Sequence, residues 1–157
     1  MTTKTILGLD KELSEKLTND LNTLLANFQT YYQNLRGLHW NIKGKNFFEL
    51  HLKFEELYTD SQEKIDLIAE RILTLQGVPL HTFEAYIKES KVPVGKDVSN
   101  DEKGITLVIE SLSELLKIER EILNVADEAD DEGTNSMMSD FISEQEKTIW
   151  MLNAWLG

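Results

Sequence analysis

Leu13, Leu17, Leu21, Leu24, Phe28, Tyr31, Leu35 and Leu38 follow one another at steps of three and four. Each helical residue turns the chain by about 100°, so this spacing holds the apolar side chains on one face for roughly seven turns. A face that long is stable in water only when other elements cover it, and the rest of the chain supplies suitable partners. A second stripe runs Phe54, Leu57, Ser61, Ile65, Ile68, Ile72, Leu75 and stops at Gly77 and Pro79. A third carries Ile105, Val108, Leu112, Leu115, Ile122 and Ala126, and a fourth carries Met138, Phe141, Gln145, Ile149, Leu152 and Trp155. No stretch alternates like a strand.

The punctuation sets the boundaries. Asp10 is placed to cap the first helix, and Gly44, between Lys43 and Lys45, marks the turn out of it. The third long helix opens near Ser99 or Asn100, where Ser99 and Glu102 form a capping-box pattern. The acidic DEADDEG at 127–133 ends that helix, and the fourth begins near Thr134. The spacing therefore predicts helices over about 10–42, 46–76, 99–127 and 134–156. Residues 77–98 form a long connection holding both prolines, with a short amphipathic helix over about 81–90 through Phe83, Tyr86 and Ile87. Short first-to-second and third-to-fourth links make antiparallel hairpins. The long middle link can travel the length of the bundle. The fold expected is all-α: a ferritin-like four-helix bundle with one long crossover, as a single domain over 1–157.

Composition narrows the chemistry. With no cysteine, disulfides, thiolate metal sites and cysteine nucleophiles are excluded. No apolar run approaches the roughly 18 residues of a membrane span. The first residues lack a basic and then apolar leader, so the cytoplasm is the expected location. The net charge of −12, from 28 acidic and 16 basic side chains, repels nucleic acid and anionic membranes and attracts cations.

Two of the three histidines, His39 and His51, lie in GLHWNIKGKNFFELHLKFEELY. His51 and Glu55 are four apart on the second helix, as are Asp66 and Glu70, so each pair shares a face. Imidazole with carboxylates suits iron, zinc or manganese. From Glu55 to Asp66 is a rise of roughly 16 Å, so one helix cannot bring both pairs to one ion. The pairs either serve separate purposes or meet through a second chain. An antiparallel two-fold packing of this helix would place His51 and Glu55 of one copy opposite Asp66 and Glu70 of another, with His39 joining across the short turn. The other reading treats the histidines as hydrogen-bonded core residues and the carboxylates as a solvated face, and spacing alone leaves both open. A ferritin-type site inside the bundle needs Glu-x-x-His motifs. Arg36, Phe48 and Val78 stand three before the histidines, so that site is excluded.

LHWNIKGKNFFELHLKFEELY, the following IDLIAERIL, the Gly77–Pro79 break and the closing IWMLNAWLG together resemble the Dps miniferritins, named for DNA-binding protein from starved cells. The resemblance spans nearly the whole chain. It implies a hollow shell of twelve subunits that oxidises Fe(II), preferentially with hydrogen peroxide, at ferroxidase centres on two-fold interfaces. It also implies storage of the ferric mineral inside and protection against oxidative stress. Carried over, His39, His51 and Glu55 come from one subunit and Asp66 and Glu70 from the other, holding two iron ions, with zinc an adventitious occupant. Family members carry Asp or Glu at the position of Glu55. Trp40 corresponds to a tryptophan beside the site. DEADDEG falls where the family places an acidic three-fold pore, with Asp131 and Asp140 as candidates to line it. The 81–90 segment corresponds to an interface helix, in which His81 is structural. The family name also implies DNA, and a nucleoid-condensing protein with secondary metal binding is the alternative function. The sequence argues against direct DNA binding, because the first twelve residues balance Lys4 and Lys11 against Asp10 and Glu12.

Overall fold

The computed structural model describes residues 3–157; Met1 and Thr2, at the head of the expected domain, lie outside the described residues. Four long helices and one short one follow in order: α1 (Lys11–Asn41), α2 (Phe47–Thr74), α3 (Phe83–Glu89), α4 (Asp101–Glu128) and α5 (Glu132–Leu156). Helix α1 packs against α2 and α4, and α4 against α5. Among the described residues the only β-type pairing is an isolated bridge between Lys4 and Asp10.

The stripes read from the sequence are the core. Leu17, Leu21, Leu24 and Leu35 of α1 are buried against Phe54, Ile68 and Ile72 of α2, Ile105, Leu115 and Ile122 of α4, and Met138 of α5. Phe28 sits edge-on to Phe141 at 6.0 Å and to Tyr31 at 6.1 Å. Truncating any of these buried leucines to alanine costs about 3 kcal/mol through lost transfer energy and the cavity left behind.

The helix starts are capped by side-chain oxygens that accept otherwise unpaired amides. Asp10 accepts from Leu13 N at 3.0 Å, as its position predicts. Of the two starts read for the third long helix, Asn100 is the cap, its Oδ1 accepting from Lys103 N at 3.0 Å; the Ser99 capping box is corrected, since the Ser99 carbonyl accepts from Lys43 N instead. The last helix starts at Glu132, two residues before Thr134, because Asp131 caps it.

The crossover between α2 and α4 is fixed along α1 by three asparagines. Asn22 accepts from Leu80 N and donates to the Val78 carbonyl. Asn27 accepts from Lys91 N and Val92 N. Asn34 accepts from Gly95 N at 2.9 Å and donates to the Pro93 carbonyl at 2.7 Å. Gly95 packs closely here, since a Cβ would lie 2.5 Å from a Leu107 methyl and 3.2 Å from the Asn34 oxygen. This long link lets α2 and α4 run as they do in a ferritin-like bundle.

Candidate metal centre

The turn from α1 into α2 builds the site. Gly44 has φ of +115°, a left-handed value that a side chain disfavours. Asn46 spends its side-chain amide on Asp101 Oδ2 at 2.8 Å, tying the start of α2 to the start of α4. The turn thus brings His39, in the last turn of α1, beside His51 near the start of α2.

The two imidazoles stack with centroids 3.7 Å apart and planes 10° from parallel. His39 Nδ1 lies 2.6 Å from the His51 carbonyl oxygen, and His51 Nδ1 lies 2.6 Å from the His39 carbonyl oxygen. A carbonyl can only accept, so each Nδ1 carries a hydrogen, and in the neutral ring each Nε2 keeps its lone pair. Metal-binding histidines are commonly oriented in this way, with the other ring nitrogen donating to an acceptor behind it. Phe47 stacks on the far side of His51 at 4.9 Å, and Tyr58 stands edge-on to His39 at 5.4 Å. The sequence reading did not find Tyr58 or Phe47. Tyr58 follows His51 by seven residues, two helical turns on the same face.

His39 is buried, at 9% exposure, and His51 is half-buried. Around them the surface is apolar and uncovered: Trp40 is 56% exposed, Phe48 84% and Leu52 55%. Arg36 lies over the Trp40 ring at 4.9 Å. Glu55, Asp66 and Glu70 are exposed on α2, and none makes a side-chain hydrogen bond or ion pair with the described residues. The structure brings His39 and His51 together. Among the described residues of one chain, it assembles no group of three His, Asp or Glu side chains able to hold a metal. His81 is exposed and far from the pair in sequence, with Nδ1 at 2.9 Å from the Pro79 carbonyl oxygen.

Asp131, a candidate pore residue, is 3% exposed within one chain. One oxygen meets Arg71 Nη2 at 2.5 Å and the helix-capping amide of Thr134, and the other meets the Thr134 hydroxyl. A buried carboxylate needs such partners. Gly133 lets the Arg71 guanidinium lie against the start of α5, where a Cβ would come within 2.6 Å of it. Asp140 is exposed.

Comparison with known proteins places the fold in one class. The ferritin-like domain family matches residues 18–157. A DPS protein from Vibrio cholerae O1, described as a member of a broad superfamily of ferritin-like diiron-carboxylate proteins, superposes with a TM-score of 0.97. It is 51% identical and covers 100% of this chain and 99% of its own. A Dps protein from Bacillus brevis superposes with a TM-score of 0.90 at 36% identity, covering 93% of this chain and 98% of its own. The DNA protection during starvation protein of Porphyromonas gingivalis is 41% identical over 150 residues, 96% of this chain and 94% of that protein. The chain is therefore a ferritin-like protein. Within that class it belongs to the Dps miniferritins.

Proposed function

We propose that this protein oxidises Fe(II) at centres shared between two copies of the chain. His39, His51 and Glu55 of one copy meet Asp66 and Glu70 of a second copy packed antiparallel along α2. The observation that carries this reading is the reciprocal pairing of His39 and His51. Each ring is locked through Nδ1, leaving both Nε2 atoms as donors on a face whose uncovered apolar residues suit burial by another protein surface. A half-site with imidazole donors, and a carboxylate pair about 16 Å along the same helix, is completed by a two-fold axis and by no motion within one chain.

Iron is the substrate here. Hard carboxylate oxygens hold Fe(III) more tightly than Fe(II), which favours oxidation. Two Fe(II) ions supply the two electrons that reduce one hydrogen peroxide to water, so no hydroxyl radical is released. The ferric product is stored within a closed shell of twelve copies in the cytoplasm, protecting the cell against oxidative damage. The −12 charge of each chain draws cations towards the shell, and Asp140 remains a candidate for a pore wall. Among the described residues no helix is long and apolar enough to cross a membrane.

Crystals soaked anaerobically in Fe(II) test this by anomalous diffraction at the iron edge. Density is expected between His51 of one copy and Asp66 of its neighbour. A chain that stays monomeric in solution, or iron bound only elsewhere, would sink the assignment. Relatives named for DNA protection raise a DNA-binding role, which the charge opposes. Retardation of DNA at submicromolar protein in magnesium-free buffer would revive it.

A further inference from the structure

The interior of the bundle holds a second group of polar side chains that the iron reading does not use. Glu119 of α4 is fully buried and Gln145 of α5 is 5% exposed. Gln145 Nε2 donates to Glu119 Oε2 at 2.8 Å. The other oxygen of each side chain, Glu119 Oε1 and Gln145 Oε1, is buried without a hydrogen-bond partner among the described residues. Two unpaired acceptors in one buried pair are costly. In a neutral acid–amide pair one hydrogen would serve both: carried on Glu119 Oε1, it would make that oxygen a donor for the amide oxygen, so that each side chain donated once and accepted once.

We propose that Glu119 and Gln145 form a proton-operated latch between α4 and α5, closed as a neutral acid–amide pair and opened when Glu119 ionises.

The groups facing Glu119 fit a neutral carboxyl. From α1 comes Tyr31, a buried phenol whose own ionisation is suppressed by burial. From α2 comes Lys64, but its ammonium is engaged by Asp60 at 2.5 Å and by Glu144 of α5 at 2.7 Å. On α4 itself Arg120 is paired with Glu146 of α5 at 3.1 Å. Each cation near Glu119 is thus already committed to another carboxylate. Burial pushes the Glu119 carboxyl up to about 8, against the lowering effects of the Gln145 bond and the Lys64 and Arg120 charges. Folding therefore takes up a proton between the ordinary carboxyl value of 4.5 and about 8. The latch contributes fully below that window and is lost as pH rises through it, by up to about tenfold in the opening equilibrium per pH unit.

The rival arrangement is an ionised Glu119 served by a water. A cavity of about 20 Å³ bordered by Tyr31, Lys64 and Gln145 is large enough for one, although Glu119 does not line it. The two arrangements differ in charge, and Glu119→Gln separates them. Its amide can donate to Gln145 and accept from it at every pH, imitating the closed latch permanently. In the assembled protein, the infrared difference spectrum of wild type minus Glu119→Gln at pH 7 should show the C=O band of a protonated carboxylic acid. That band should disappear on titration through about 8. A carboxylate band at pH 7 overturns the proposal. Hydrogen exchange of buried α4 and α5 amides, taken as the ratio of wild type to variant, gives a second readout. Opening of the wild type should rise relative to the variant by up to about tenfold per unit between pH 5 and 8, then level off. A ratio independent of pH overturns the latch. The titration of the wild-type band needs no variant, so the test stands even if the substitution disturbs folding.

Discussion

The bundle holds two polar pairs, and they are finished in opposite ways. His39 and His51, where α1 turns into α2, satisfy each other's inner nitrogens through main-chain carbonyls and keep their outer nitrogens free. Glu119 and Gln145, across α4 and α5, share one hydrogen bond and retain unpaired oxygens inside the protein. The first pair is complete within and open to the outside, which is what a site awaiting ligands needs. The second is closed to the outside and incomplete within, which is what a group that binds a proton needs. Polar residues in an apolar bundle thus do different work according to which of their atoms is left over.

The sharpest way to break this contrast is to remove the histidines. His39→Ala with His51→Ala should slow the fast phase of peroxide-driven Fe(II) oxidation by about 10³-fold, beyond the roughly 10–100-fold typical of losing a group behind a ligand. Stopped-flow absorbance reads the rate, and sedimentation should show the assembly unchanged. Undiminished oxidation would mean that the outer nitrogens hold no metal. Arg71→Ala comes next. It strands the buried Asp131 carboxylate and should destabilise the chain by about 3 kcal/mol in denaturant unfolding. Glu119→Ala should cost about 2 kcal/mol, through a cavity and an unpaired amide, while leaving the iron oxidation rate within about twofold of wild type. Loss of oxidation in that variant would join the two pairs that the structure separates. The smallest effect belongs to Lys64→Met. Burial disfavours the Lys64 charge, but the Asp60 and Glu144 hydrogen bonds prevail and its pKa is raised. Both of those carboxylates are more than half exposed, so water can replace the lysine and the cost should stay within about 1 kcal/mol.

The helices were legible because burial repeats with helical period, and the apolar stripe residues named from the sequence lie in the core or pack, partly buried, against it. The interruptions in the stripes were harder to use. Ser61 and Gln145 stood within them as polar residues, and Lys64 and Glu119 sit at core spacing, four before Ile68 and four after Leu115. No spacing rule shows that Lys64, Glu119 and Gln145, from three different helices, approach one another. The nearness of His39 and His51 followed from a short turn, but their ring orientation depends on torsions that sequence does not encode locally. Asp131 shows the same limit, since an acidic run does not reveal which carboxylate turns inward to meet an arginine sixty residues earlier. Three asparagines holding the crossover were likewise invisible, because their partners are backbone groups far along the chain.

The acceptors behind both histidines are peptide carbonyls, and those carbonyls belong to the histidines themselves. No neighbouring side chain sets the tautomers, so no substitution at another position can delete the groups that do. The arrangement is instead vulnerable to length. One residue inserted within α2 between His51 and Phe54 would shift His51 by about 1.5 Å and turn it by about 100° relative to the core-packed helix that follows. It would uncouple both rings at once without changing a single side chain of the site. For this pair, helix register is a stricter constraint than side-chain composition.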